Sequence, residues 1–169
     1  MRIISVIALA LALSTACFAQ QALKRGDAAP AFDGQLPDGQ MLTSADFQGK
    51  IVLVTFWSTR CQICHEEIPK LNQVADRYRG QDVVFVAVTM DNQAKVEAFV
   101  RKNPFHFSLL PNSFGVMLKY ADRDARGNIN MGFPAHFIID RKGAIAARSF
   151  GWDKSNQLDS EIAKLLASE

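Results

Sequence analysis

A run of mostly apolar residues, Ile51–Phe56, is followed by a short polar break and then by a helical pattern. A continuous apolar run of this length is typical of a strand buried on both faces. Beyond the break, apolar side chains recur at steps of four and three residues, at Cys64, Ile68, Leu71, Ala75 and Tyr78. Those steps place them on one stripe of an amphipathic helix. The pattern therefore predicts a buried strand that leads directly into a helix.

The remaining apolar runs predict further strands and helices in alternation. Turn residues in Leu36–Gln40 indicate a β-hairpin near the start of the fold. The polar segment Ala121–Asn130 is predicted to be a loop that borders the site. Strands are predicted at Val83–Val88, Phe107–Leu110, Ala135–Ile139 and Ile145–Phe150, and helices after Asp91 or Asn92, at Asn112–Tyr120 and after Ser155 as a cap. This order indicates an α/β fold with a central sheet.

Length and charge bear on the number of domains and on whether the protein binds nucleic acid. A chain of 169 residues is long enough for one domain with a substantial core. The formal net charge is only +2, and no basic patch is interleaved with aromatic residues. We therefore expect no nucleic-acid partner.

The first residues have the pattern of a secretory signal peptide. Arg2 precedes the apolar stretch Ile3–Leu13, and Cys17-Phe18-Ala19 resembles a cleavage site. We expect residues 1–19 to be removed and 20–169 to form the domain, outside the cytoplasm in the periplasm or secreted. Because Leu13–Cys17 loosely fits a lipobox, the alternative is a lipoprotein anchored to the membrane at an acylated Cys17.

Cys61 and Cys64 lie where the predicted strand ends and the helix begins. Unpaired N–H groups and the positive dipole end of the first helical turn favour a thiolate over a thiol. Cys61 comes first and should be more exposed, whereas Cys64 lies on the apolar stripe and should be more buried. The spacing predicts that Cys61 attacks a disulfide and that Cys64 resolves the mixed disulfide.

The pattern around this pair resembles the TlpA/ResA group of secreted thiol–disulfide oxidoreductases, which have the thioredoxin-like fold. The matching motifs are Phe56-Trp57, Cys61-x-x-Cys64, Glu67-x-Pro69, Gly132-Phe133-Pro134, Phe137–Asp140 with Gly143, and the upstream segments Gly26–Phe32 and Asp46–Lys50. The resemblance covers about Gly26–Glu169. It implies a central mixed β-sheet flanked by helices, with an N-terminal β-hairpin extension.

The resemblance also implies roles for single residues. Pro134 would form a cis bond facing the cysteines, and Phe133 and Trp57 would line the substrate groove or tune the pair. Glu67 borders the buried stripe, and in the related family an acid at this position tunes the cysteines. Because thioredoxin itself has a buried acid where this chain has Thr55, Glu67 is left as the only nearby acidic candidate for exchanging a proton with the resolving thiol.

The expected partners are protein thiols or disulfides and a periplasmic or membrane thiol–disulfide electron partner, in cytochrome c maturation or in general redox homeostasis. No cofactor and no metal are expected. Arg60 and Ile63 depart from the family, which usually has Trp and Pro there. The Arg60 guanidinium should favour the Cys61 thiolate, which predicts a pair less reducing than is usual in the family.

Three alternatives use the same residues for other chemistry. Cys61-Gln62-Ile63-Cys64-His65 is formally a c-type haem attachment motif, with a methionine as the other ligand. A copper metallochaperone would instead use both cysteines and His136, since thiolates and imidazole suit copper. A peroxidase of the peroxiredoxin type would need Pro where Val54 stands. The strand before the motif and the Glu67-x-Pro69 and Gly132-x-Pro134 segments favour the oxidoreductase.

Overall fold

The structure is a computed structural model that describes residues 22–124 and 126–168. The predicted signal segment and Cys17 therefore lie outside the described residues. A five-stranded mixed sheet forms its centre, in the order β5-β4-β3-β8-β9. Its strands are β3 (Ile51–Phe56), β4 (Val83–Val88), β5 (Ser108–Leu110), β8 (Ala135–Ile139) and β9 (Ile145–Phe150). The β3, β4 and β5 strands are parallel, whereas β8 runs antiparallel to both β3 and β9.

Two short hairpins stand apart from the central sheet. The predicted N-terminal hairpin is confirmed, since β1 (Asp33–Gln35) pairs antiparallel with β2 (Met41–Thr43) around a turn at Gly39. A second hairpin, β6 (Asp122–Arg123) with β7 (Ile129–Asn130), lies in the segment predicted to be only a loop. That prediction was wrong because a stretch this polar carries no apolar alternation to indicate strands.

In the part of the chain that the structure describes, four helices cover the sheet. They are α1 (Gln62–Arg77), α2 (Gln93–Val100), α3 (Phe114–Tyr120) and α4 (Ser155–Ala167), and a 3-10 turn spans Ser44–Phe47. Asn92 accepts the Lys95 N–H and caps α2, as one of the two predicted caps. Ser155 does not cap α4, contrary to the prediction. Lys154 occupies the cap position, and Ser155 is the buried first residue of the helix.

Side chains from alternate strand positions form two separate cores. On one side, called the α1 face, Ile51, Leu53, Trp57 and Ile138 pack with apolar residues of α1, α2 and α4. On the other, called the α3 face, strand residues pack with α3 and Phe32, among them Val54, Phe56, Phe137 and Ile139. Both faces of β3 are therefore buried, as its continuous apolar run predicted.

The strand register determines which segments lie beside the C-terminal end of β3, the end that leads to the cysteines. Phe56, the last residue of β3, pairs with Ala135, the first residue of β8, and Ala135 pairs with Phe150 at the end of β9. The start of α1, Pro134 and the segment after β9 therefore share one edge of the sheet.

Candidate active site

Cys61 and Cys64 are joined by a disulfide at the start of α1. Cys61 is the N-terminal cap of the helix, and its sulfur accepts the Cys64 N–H at 3.3 Å. Cys61 is half-buried, whereas Cys64 is only 2% exposed. The difference arises because Cys64 lies on the apolar stripe of α1, as the sequence predicted. The reachable sulfur is thus the one held by the first-turn N–H.

The loop before the cysteines is anchored by Asp91 from the end of β4. The Asp91 carboxylate accepts the Thr59 N–H at 2.7 Å and the Ser58 hydroxyl at 2.9 Å. Burial opposes ionisation, but hydrogen bonds from Thr59, Ser58 and Thr89 outweigh it and hold the pKa of Asp91 below its usual value. A charged acceptor therefore holds the loop segment that leads to Cys61 in place.

His65 fixes the same loop from the helix side. Its Nε2 lies 3.0 Å from the carbonyl oxygen of Thr59, and its ring packs on Phe99 with centroids 4.5 Å apart. The Trp57 ring packs against Phe99 as well, and against Phe105, and is 1% exposed. Trp57 thus forms part of the floor beneath the loop.

A buried polar chain crosses the α1 face beneath the cysteine pair. Glu67 is fully buried, and its Oε2 lies 3.3 Å from Nε2 of His136 on β8, which is also fully buried. The other ring nitrogen, Nδ1, lies 3.1 Å from Oγ1 of Thr55 on β3. Glu67 Oε1 accepts the N–H of Lys154 at 2.8 Å, at the start of α4. Every oxygen and nitrogen of the Glu67 and His136 side chains therefore has a partner.

Pro134 follows Phe133 through a cis peptide bond, as the resemblance implied. Pro134 is buried, and its carbonyl oxygen accepts the Gly151 N–H at 2.9 Å. Phe133 is half-buried and packs against both cores. Arg60 is exposed, and its backbone N–H donates to the Ser58 hydroxyl at 3.3 Å. All the predicted site residues thus lie at one edge of the sheet, with Glu67 one helical turn behind Cys64.

Two groups escaped sequence reasoning. Asp91 looked like a helix cap because it precedes a helical pattern, yet the cap is Asn92 and Asp91 turns toward Thr59. His136 was considered only as a copper ligand or a packed residue. Its position two residues past Pro134 on a strand paired with Thr55 was the available signal.

The residues that the haem and copper alternatives would use have other partners in this structure. The disulfide uses both sulfurs that thioether bonds to haem would need, and His65 is engaged by Thr59. No group of three or more His, Cys, Asp or Glu side chains within 22–124 and 126–168 is arranged to hold a metal ion. Across these same ranges, no helix is long and apolar enough to span a membrane.

Comparison with known proteins places the chain in a family. The AhpC/TSA family model matches residues 25–148. The thiol–disulfide oxidoreductase ResA of Bacillus thuringiensis subsp. konkukian is 26% identical over 147 residues, which cover 86% of this chain and 81% of the relative. The thiol:disulfide interchange protein DsbE of Pseudomonas fluorescens biotype C is 31% identical over 129 residues, which cover 72% of this chain and 64% of that relative.

Solved structures have the same fold. A thioredoxin-family thiol:disulfide interchange protein of Chlorobium tepidum matches with a TM-score of 0.72 and 24% identity, over 86% of this chain and 99% of the other. The mixed sheet with its flanking helices indicates the same fold class as the sequence relatives do. The chain therefore belongs to the AhpC/TSA family and is a thioredoxin-like thiol–disulfide oxidoreductase of the ResA and DsbE type.

Proposed function

We propose that Cys61 and Cys64 exchange a dithiol and a disulfide with cysteine pairs of other proteins outside the cytoplasm. In the reduced form the Cys61 thiolate attacks a substrate disulfide, which gives a mixed disulfide and releases one substrate thiolate. Cys64 then attacks Cys61 Sγ, closes the intrachain disulfide and releases the second substrate sulfur. In the opposite direction a substrate thiolate attacks Cys61, and Cys64 leaves.

The observation that carries this proposal is the unequal burial of two bonded sulfurs at a helix start. Cys61 is half-buried and is reachable by a partner protein, whereas Cys64 is 2% exposed and is reachable only from Cys61. A thiolate at Cys61 receives the Cys64 N–H and the positive end of α1. The geometry therefore favours attack by one sulfur and resolution by the other.

The neighbouring residues have supporting roles in the proposal. Pro134 and Phe133 border the cysteine edge of the sheet and would line the groove that receives the substrate chain. Trp57 supports the loop from below, and Arg60 adds a positive charge beside Cys61. Glu67, buried one turn behind Cys64, exchanges the proton of the resolving thiol.

Redox titration in glutathione buffers tests the central claim. We expect a two-electron transition that is abolished by Cys61→Ser and retained by Cys17→Ser, which removes the third cysteine of the chain. A transition that survives in Cys61→Ser would overturn the proposal. A covalent Soret band after expression in a host that matures cytochromes c would show instead that the cysteines hold haem.

The midpoint potential indicates the direction of electron flow. We propose that Arg60 makes the pair less reducing than is usual in the family, with a midpoint above that of thioredoxin, which is about −270 mV. A midpoint near or below that value would contradict this role, and Arg60→Gln should lower the midpoint if the role is correct.

The substrate can be identified with Cys64→Ser, which cannot resolve the mixed disulfide. Exported Cys64→Ser should accumulate covalent complexes with its partners, with Cys61→Ser/Cys64→Ser as the control. Capture of an apocytochrome c would assign the chain to cytochrome c maturation. Capture of many unrelated exported proteins would assign it to general redox homeostasis.

A further inference from the structure

His65 belongs to the Cys61–His65 motif but takes no part in the exchange of sulfurs. In a c-type cytochrome its ring would bind haem iron, whereas here the side chain turns back toward the loop before the cysteines. Its Nε2 lies 3.0 Å from the carbonyl oxygen of Thr59. A carbonyl oxygen only accepts hydrogen bonds, so Nε2 carries the hydrogen and His65 is the donor.

His65 holds the segment Thr59–Cys61 at both of its ends. The backbone N–H of His65 donates to the carbonyl oxygen of Cys61 at 3.2 Å, within the first turn of α1. Its side chain donates to the carbonyl oxygen of Thr59, two residues earlier in the chain. A single helical residue therefore fixes the carbonyl groups at the start and at the end of the segment that carries the nucleophile.

The other bonds of this segment come from the sheet and from the loop itself. The Thr59 N–H donates at 2.7 Å to the carboxylate of Asp91, at the end of β4. The next two N–H groups donate to Ser58, one to its hydroxyl and the other to its carbonyl oxygen. All three N–H groups of the segment Thr59–Cys61 thus have partners, and the His65 side chain is the contact that joins Thr59 to α1.

The ring of His65 is itself confined. It is half-buried and packs on the Phe99 ring with centroids 4.5 Å apart. Phe99 packs in turn on Trp57 beneath the loop, with centroids 5.2 Å apart. A side chain that packing already confines loses little conformational entropy when it makes a hydrogen bond. The donor to Thr59 is therefore preorganised.

This contact matters most when the disulfide is open. In the oxidised protein the bond between Cys61 and Cys64 itself joins the loop to the helix. In the reduced protein, and in a mixed disulfide with a substrate, that bond is absent. Closure then requires the two sulfurs to meet in a narrow geometry, and each restriction on the segment raises the effective concentration of one sulfur at the other.

We propose that His65 is a positioning residue that keeps Cys61 within reach of Cys64 whenever the disulfide is open. The inference rests on the proposed function. In the mixed disulfide the Cys64 thiolate attacks Cys61 Sγ, and the Cys61–Cys64 bond forms as the bond from Cys61 to the substrate sulfur breaks. The substrate sulfur leaves as a thiolate, and Glu67 takes the proton of Cys64. His65 makes no bond to either sulfur and acts through the loop.

Redox titration in glutathione buffers measures the equilibrium constant for closing the disulfide. His65→Phe keeps a ring against Phe99 but removes the N–H, so the open forms become less restricted while the disulfide still confines the closed form. We expect the constant to fall about fivefold, the size of one hydrogen bond. The midpoint potential should rise by about 20 mV, because a tenfold change is about 30 mV for a two-electron couple. His65→Gln, whose amide can replace the Nε2–H donor, should stay close to the wild type.

Rapid mixing of the reduced protein with excess oxidised glutathione separates attack from resolution. The first phase depends on the glutathione concentration and reports attack by Cys61, while the second is independent of it and reports resolution by Cys64. We expect His65→Phe to slow the second phase about fivefold and to change the first by less than about twofold. The control is His106→Phe, at an exposed histidine that pairs with Asp76, and it should match the wild type in both phases.

A merely structural role for His65 has a different signature. Lower stability of His65→Phe with an unchanged midpoint or an unchanged second phase would contradict the proposal, as would a midpoint of His65→Gln equal to that of His65→Phe. If His65→Phe does not fold, NMR of the wild type provides the test. We expect a slowly exchanging Nε2–H on His65 in the oxidised and the reduced protein, and free exchange in the reduced protein would refute the inference.

Failure of this inference can be told apart from failure of the proposed function. If the wild type shows no two-electron transition, the proposed function fails. If the transition is present and His65→Phe leaves its midpoint unchanged, only the positioning role of His65 fails.

Discussion

The two faces of the central sheet are both closed by helices and both buried, yet they are built from different chemistry. The α3 face is filled by aromatic and aliphatic side chains, with Phe137 in contact with the rings of Phe56, Tyr120 and Phe150. The α1 face has an equally extensive apolar core but is interrupted by Glu67 and His136 behind the disulfide. One face has a wholly apolar core around Phe137, and the other combines an apolar core with a buried polar chain next to the disulfide.

The largest expected effect belongs to the α3 face. Phe137→Ala removes a fully buried ring and should lower the free energy of unfolding by about 3–5 kcal/mol. The midpoint potential of the folded variant should stay at the wild-type value, because Phe137 belongs to the α3 core whereas both cysteines pack in the α1 core. Urea unfolding and redox titration of the same sample measure both quantities, and a shifted midpoint would show that the faces are coupled.

The next effect belongs to the polar chain of the α1 face. Glu67→Ala leaves His136 Nε2 and the Lys154 N–H without their partner, which should cost about 1–3 kcal/mol of unfolding free energy. Unlike Phe137→Ala, it should also change the rate at which Cys64 resolves a mixed disulfide. Glu66→Ala is the matched control because Glu66 is exposed, and we expect its stability change to stay within about 0.5 kcal/mol.

A smaller effect is expected at Asp91, which joins the end of β4 to the active-site loop. Asp91→Asn should cost about 1–2 kcal/mol because it weakens charge-assisted bonds to Thr59 and Ser58. The control is Asp82→Asn, an exposed acid whose side chain should contribute little to stability.

The pH dependence of the Asp91 effect follows from the direction of its shift. Because the pKa of Asp91 is lowered in the folded state, its contribution is present above the ordinary value of 3.8 and is lost as the pH falls through the folded pKa. The stability difference between wild type and Asp91→Asn should therefore shrink on acidification below that value. A difference that stays constant down to pH 2 would contradict the assignment.

The smallest changes in unfolding free energy are expected at two tyrosines, one in the core of each face. Tyr78 donates its hydroxyl to Asp159 at 2.8 Å, and Tyr120 donates to the Pro30 carbonyl at 2.8 Å. Tyr78→Phe and Tyr120→Phe should each cost about 1 kcal/mol at pH 7.

The two tyrosines differ from an ordinary phenol in pKa, and unfolding measured at alkaline pH tests that difference. Burial, with the Asp159 bond and charge, raises the pKa of Tyr78 to about 12, and burial raises the pKa of Tyr120 as well. The Tyr78 contribution is therefore complete below pH 10 and is lost between about pH 10 and 12. We expect the difference between wild type and Tyr78→Phe to shrink over that interval, and a difference that grows with pH would be contrary to this sign.

Local patterns predicted most of the fold. The strands at Ile51–Phe56, Val83–Val88, Ala135–Ile139 and Ile145–Phe150 have the expected bounds. The apolar stripe from Cys64 to Tyr78 is buried. These features depend on the periods of strands and helices, which neighbouring residues along the chain determine. The β6–β7 hairpin escaped because its pairing depends on polar residues that carry no such period.

By itself, the sequence determined the cysteine pair, its position between a buried strand and a helix, and the unequal burial of the two sulfurs. These follow from spacing along one short segment. Only the tertiary structure decided that Asp91 holds the loop and that Glu67 meets His136 and Thr55, because these contacts join residues up to 81 positions apart. A carboxylate or an imidazole has many partners available in a chain, and strand register and helix packing select among them.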